Sequence, residues 1–163
     1  MLRRLAIAIC IVLLTFGAFG QSAKSSSAKT SKKSASGVPD KALLQKIWDG
    51  WGTLDPANTE QFYAKGEHTF FDIAPLKYNN WDEYKAGVTK VLADYKSAKF
   101  TVNDDAQLHR AGEYVWGTAT VKSDMTTKAD KREEGNFRWT MVFHREAGKW
   151  LIVHEHVSAP LQQ

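Results

Sequence analysis

Cysteine is all but missing from this chain of 163 residues: the one present, Cys10, lies in an apolar N-terminal stretch. An intrachain disulfide and a Cys-based zinc site are therefore excluded. Glycine (11) and proline (4) are sparse, and no Gly-rich phosphate loop, nucleophile elbow or paired-Cys motif occurs, so no cofactor is expected. The length leaves room for one ordinary domain with appendages and rules out a separate cofactor domain. Acidic residues are missing altogether before Asp40, whereas Arg3, Arg4, Lys24, Lys29, Lys32 and Lys33 place six positive charges there. The formal charge of +4, from 22 Lys+Arg against 18 Asp+Glu, is thus a property of the N-terminus. Taking those six from the 22 leaves residues 40–163 with 16 bases and 18 acids, a net −2, which argues against a nucleic-acid partner.

The longest apolar run is short as well. Residues 5–20 are uncharged behind Arg3 and Arg4, a positive n-region and an h-region too brief to cross a bilayer comfortably. Ala18 and Gly20 set small side chains before a cut that makes Gln21 the new terminus. Residues 1–20 are thus expected to be a signal peptide, yielding a secreted or periplasmic protein with no stable membrane insertion after cleavage. An uncleaved anchor is the alternative. Residues 21–37 hold seven Ser, four Lys and three Ala without an aromatic or branched aliphatic side chain, so they bury too little surface to offset the entropy of ordering. Residues 21–39 read as a disordered tether closed by Val38-Pro39, and 40–163 as the folded domain.

Leu44, Ile47, Trp48 and Trp51 recur at i, i+3, i+4 and i+7, which predicts an amphipathic helix over 40–51. Asp55-Pro56 reads as the N-cap and first residue of a short second helix to about Ala64. Residues 68–73 read as a strand ended by Pro75, with loop to Asn80. Asn80 and Glu83 resemble a capping pair that opens a third helix through Ser97, carried by Trp81, Tyr84, Val88, Val91 and Tyr95. Beyond Lys99 the period becomes two, in four extended runs at 99–109, 113–125, 132–146 and 149–158. Helices first and an antiparallel meander last predict an α+β domain whose sheet curls around three N-terminal helices.

Along 149–158, period two puts Trp150, Ile152, His154, His156 and Ser158 on one face, and Leu151, Val153, Glu155 and Val157 on the other. The first face runs from apolar to polar, as in a strand that starts in a core and ends beside a pocket. His156 is therefore a candidate acid–base imidazole and His154 a candidate ligand-bonding one. His-x-His can also offer two nitrogens to one ion, with His68, His109, His144 or Glu113 to complete the shell. No further ligand stands at a diagnostic spacing, and no metal is assigned. In the run before it, Phe137, Trp139, Met141 and Phe143 share a face. Arg138, on the other face with Thr140, reads as a carboxylate clamp or as the cross-strand partner of Glu113, Glu134 or Glu155. Asp72, at a strand end among aromatic groups, is a candidate base whose pKa desolvation would raise; bonding turn amides before Pro75 is the alternative. Trp48, Trp51, Trp81 and Trp116 read as core or as the lining of an apolar cavity.

The order helix, helix, short strand, helix, long meander resembles the NTF2-like superfamily. The ending from Arg138 to Pro160, with Gly148-Lys149-Trp150, Ile152-Val153-His154, His156, Ser158 and Pro160, resembles its SnoaL-like branch. It is similar also to the end of the calmodulin-dependent kinase II association domain. The resemblance implies a cone-shaped barrel, a curved and mainly antiparallel sheet enclosing a pocket, commonly as a homodimer. Its members are ketosteroid isomerases, polyketide cyclases, dehydratases and plain assembly modules, so it implies a cavity rather than one reaction. His68 to Pro75 is similar to the isomerase segment whose strand-end Asp shuttles protons, which maps that role onto Asp72. Trp48 stands where the isomerases' oxyanion-binding Tyr would sit, and the strand position near Thr140 carries no acid. An oxyanion hole without both donors loses most of its stabilisation, so steroid isomerisation itself is not expected. The expectation is a secreted protein that binds a small, partly apolar molecule, with isomerase, cyclase or dehydratase chemistry from Asp72 and His156. Trp48, Trp116, Arg138, Thr140 and His154 are the candidate ligand contacts. The alternatives are a non-enzymatic module that dimerises through the outer sheet face and a metal-binding envelope protein.

Overall fold

Helix α1 (Lys41–Trp51) starts where the Asp40 carboxylate accepts the Leu43 amide at 2.9 Å, and its stripe of Leu44, Ile47, Trp48 and Trp51 is buried. The structure, a computed structural model, describes residues 37–161. The expected signal peptide and residues 21–36 of the expected tether lie outside the described residues. Val38 packs against the core and Pro39 is buried, so the fold takes up the chain just ahead of Asp40. Gln45 fastens α1 to the sheet, its amide donating to the Phe100 carbonyl at 3.0 Å and its carbonyl accepting the Val102 amide at 2.8 Å.

Two 3-10 turns, Pro56–Asn58 and Glu60–Phe62, stand where one short helix was expected. Asp55 caps the first at the Ala57 amide, 2.9 Å, but the buried Thr59 hydroxyl turns back onto the Pro56 carbonyl at 2.8 Å and the helix does not continue. Tyr63 leaves extended and bridges Ile152, while the Ala64 amide donates to the Ile152 carbonyl at 2.9 Å. Strands β1 (Glu67–Phe71) and β2 (Tyr78–Asn80) follow, then helix α2 (Trp81–Leu92), capped by Asn80 at the Glu83 amide, 2.9 Å.

Helix α2 ends well short of Ser97 because Tyr95 already belongs to β3 (Tyr95–Val102), which pairs along the second half of β5 (Tyr114–Thr127). The expected strand 99–109 is two strands. Asp105 accepts both the amide and the hydroxyl of Thr120, at 3.0 and 2.7 Å, and this pins a turn between β3 and β4 (Gln107–Ala111). Strands β6 (Arg132–Glu146) and β7 (Lys149–Ser158) complete the sheet, whose order is β2-β1-β7-β6-β5-β3 with β4 also on β5. The β1–β7 pair is parallel, so the sheet is mixed, though antiparallel elsewhere. The core lies where Trp139, Met141, Phe143, Val121 and Ile152 meet the buried faces of the two helices.

Candidate functional site

Strand β6 keeps its expected alternation, with Trp139, Met141 and Phe143 buried. Strand β7 does not. Val142 pairs with His154 but Phe143 with Ile152, which leaves Val153 as an extra residue, a β-bulge. The bulge switches the parity of the strand: Ile152 is buried before it, Glu155 and Val157 after it. The face expected to end beside the pocket therefore turns outward at His154 and His156, and Glu155 enters the interior.

Glu155 is only 1 % exposed. One of its carboxyl oxygens accepts the Tyr63 hydroxyl at 3.0 Å and the other the Trp139 indole N–H at 2.8 Å. Tyr63 in turn accepts the Trp51 N–H at 3.1 Å. Burial pushes the Glu155 carboxyl up to about 7 against these donors and Tyr84, which favour the ionised form. Tyr63 and Tyr84 are raised well above the ordinary tyrosine value by the same burial and by the Glu155 charge, so both stay protonated. Asp72 is raised too, by desolvation, with the Ile73 amide at 2.7 Å opposing that shift.

Asp72 and Glu155 share a cavity of about 140 Å³ whose walls are otherwise largely apolar, including Trp48, Trp51, Tyr84, Leu92, Met125 and Phe137. For scale, an apolar void of about 150 Å³ holds one benzene ring. Trp48 also packs edge-on to Trp139 (5.5 Å between centroids) and against Phe100 (5.0 Å), and its indole N–H is buried without a partner.

The expected site residues divide between two sides of the sheet. Asp72 and Trp48 line the cavity. His156 is exposed in a shallow hollow with Phe71, Pro75 and Leu76, which Asp72 also borders from the rim. His154 Nδ1 donates to the Thr69 carbonyl at 2.7 Å, and both imidazoles sit 5.6 Å from the Phe71 ring. Arg138 and Thr140 do not face the cavity: they flank Trp139 on the opposite face, in a depression with Asp105 and Thr120. Trp116 also points outward, 47 % exposed and stacked on His109 at 4.3 Å, because Val115 takes the inward place. Trp116, Arg138, Thr140 and His154 are thus parted from the cavity by the sheet itself. His109 and His144 stack on Trp116 and Tyr114, and no three His, Cys, Asp or Glu side chains converge as a metal site among the described residues. Sequence reasoning passed over Glu155, Tyr63 and Tyr84 as site residues. The available signal was an acid in the otherwise apolar column Leu151, Val153, Val157.

A curved, unclosed mixed sheet with helices and a cavity on one side is the NTF2-like fold. Within it, the chain belongs to the family of the SnoaL-like domain, whose model matches residues 42–162. Among solved structures it is similar to a candidate calcium/calmodulin-dependent protein kinase II association domain from Xanthomonas campestris, at 19% identity and TM-score 0.65 over 75% of this chain and 86% of that one. An NTF2-like superfamily protein from Salmonella enterica shares 14% identity at TM-score 0.65, over 76% and 92% of the two chains. A candidate scytalone dehydratase from Novosphingobium aromaticivorans shares 7% at TM-score 0.63, over 74% and 80%. No curated protein sequence matches the chain.

Proposed function

We propose that this chain is an exported protein that binds a small, partly apolar molecule of about one ring in its cavity, with Glu155 and Asp72 as proton-holding groups facing it. The observation that carries the reading is the burial of Glu155 with a carboxyl pushed up to about 7, in a cavity that it shares with a second raised carboxyl, Asp72. A carboxyl titrating near neutral pH donates and accepts protons with similar ease, the property that isomerase and dehydratase chemistry requires. In this reading Glu155 takes over the acid–base role expected of His156, with Glu155 as proton donor and Asp72 as the base. Export follows from residues 1–20, whose basic start and short apolar run suit a cleaved leader.

A screen of one-ring fragments by ligand-detected NMR tests the binding. Hits are expected on the wild type and not on Val88→Trp, which fills the cavity. Their affinity is expected to change with pH around 7, and Glu155→Gln to remove that change. Hits that survive in Val88→Trp would overturn the reading. N-terminal sequencing of the protein recovered outside the cytoplasm is expected to begin at Gln21.

A second reading concerns assembly and is compatible with the first. Trp116 and Tyr114 stand 47 % and 49 % exposed on the outer sheet face, stacked on His109 and His144. Aromatic side chains left this open favour a homodimer through that face.

A further inference from the structure

We infer that the cavity selects a cationic ligand, a protonated amine carried on a single apolar ring, with its ammonium against Asp72 and its ring among Trp48, Trp51, Tyr84 and Phe137. The inference rests on the reading of this cavity as the binding site and adds the charge of what binds.

The polar groups around the cavity set the charge it accepts. Among the described residues, no Lys, Arg or His lines the cavity. The donors around it are committed to protein acceptors: Trp51 to the Tyr63 hydroxyl at 3.1 Å, Tyr63 to Glu155 at 3.0 Å, Trp139 to Glu155 at 2.8 Å, and Tyr95 to Glu133 at 2.9 Å. Tyr84 is turned to Glu155 as well. The uncommitted capacity is mainly that of an acceptor. Asp72 spends one oxygen on the Ile73 amide at 2.7 Å, and its other oxygen has no donor among the described residues. Among the described residues, the unpartnered N–H at the cavity is that of Trp48, and a protonated Glu155 adds one neutral O–H. Such neutral donors serve a hydroxyl or ether on a ligand, but they do not offset the cost of drying an anion beside two carboxyl groups.

An ammonium reverses each of these terms. It donates to the free Asp72 oxygen in a charge-assisted bond, and the π faces of the cavity wall attract it further. With Asp72 ionised and Glu155 keeping its proton, one ammonium leaves the occupied cavity electrically neutral. A carboxylate of the same shape leaves a net charge of −2 in an apolar enclosure with no basic side chain to answer it.

Three probes that share one ring test this by calorimetry on the purified protein: benzylamine, benzyl alcohol and benzoate. Benzylamine is expected to bind at least about tenfold more tightly than benzyl alcohol, the scale of one charge-assisted bond with a cation–π contact, and benzoate to show no saturation. Asp72→Asn is expected to bring the benzylamine and benzyl alcohol affinities within about twofold, which corresponds to losing most of that bond. Ile73 is 57 % exposed at the cavity mouth, so Ile73→Lys adds a cation without disturbing the core and is expected to let benzoate bind. Equal binding of benzylamine and benzyl alcohol would overturn charge selection while leaving the cavity reading intact. Binding of benzoate as tight as benzylamine would do the same. If none of the three binds, the cavity reading falls and this inference with it.

Discussion

Ionising a carboxyl group that is 1 % exposed costs free energy that the donors of Tyr63 and Trp139 recover only in part, and the cost appears in the pH dependence of folding. Glu155 titrates at about 7 in the folded chain against 4.5 as its ordinary value. Below 4.5 it is protonated in both states and contributes no difference. Between 4.5 and 7 the unfolded chain releases this proton first, so stability falls as pH rises, by up to about 3 kcal/mol at 1.36 kcal/mol per pH unit. Asp72, also raised, acts in the same direction. Glu60, Asp124 and Glu133, lowered by Lys65, Arg132 and Lys131, act oppositely and lower on the scale, losing stability as pH falls through their folded values. Urea midpoints measured from pH 4.5 to 8 are therefore expected to decline for the wild type and to flatten for Glu155→Gln. An equal decline in both proteins would locate the titrating group elsewhere. Tyr63→Phe carries the network one bond further. It removes a donor that favours the Glu155 anion and strands the Trp51 N–H, so it is expected to cost about 1–3 kcal/mol. It is also expected to move the inflection above 7, the part of the result that a merely structural loss would not produce.

At the scale of elements, Gly87 sets packing against helix propensity. Alanine in place of glycine inside a helix ordinarily gains about 1 kcal/mol. Here a Cβ would lie only 2.3 Å from the Tyr78 ring, which is 4 % exposed, is held against Tyr84 at 5.0 Å and donates from its hydroxyl to the Ala74 carbonyl at 3.0 Å. Moving the ring would break these contacts, so Gly87→Ala is expected to destabilise the protein by about 1–3 kcal/mol, the usual scale of overpacking. It is also expected to weaken ligand binding, because Tyr78 anchors the loop that starts at Asp72. Thermal melts and a fragment titration check both. The same contest between local and tertiary terms decides how much was legible beforehand. The α1 stripe, the Asn80 cap and the alternation of β6 are local patterns, and they stand in the structure as read. Tyr95 continues the spacing of α2 yet serves β3, because pairing with β5 outweighs one more helical turn. The β7 bulge leaves no mark at all, since Val153 suits a strand at either parity, and that one inserted residue exchanged His156 for Glu155 as the inward group. The parallel β1–β7 pair joins segments more than eighty residues apart by its register of Phe70 with Glu155, which no local window contains.

Across the whole molecule, the sheet separates the cavity from an outer face, so the proposed binding and the proposed assembly use different surfaces. The inner face encloses Glu155, whereas the outer face presents Trp116 and Tyr114 with His109 and His144 stacked on them. The charges of residues 40–163 sum to only −2, too little for repulsion to keep two copies apart. Joining two outer faces would bury both indoles without touching the cavity, and light scattering is expected to give the mass of a dimer. Trp116→Lys sets a charge in the middle of that contact and is expected to yield a monomer that binds fragments as the wild type does. Ile73, Leu76 and Val91, exposed near the cavity mouth, form the competing apolar patch. Contact there would cover the entrance, so dimerisation and ligand affinity would rise or fall together. A Trp116→Lys protein that stays dimeric, with an affinity that depends on protein concentration, would place the interface at the mouth and make assembly part of the site.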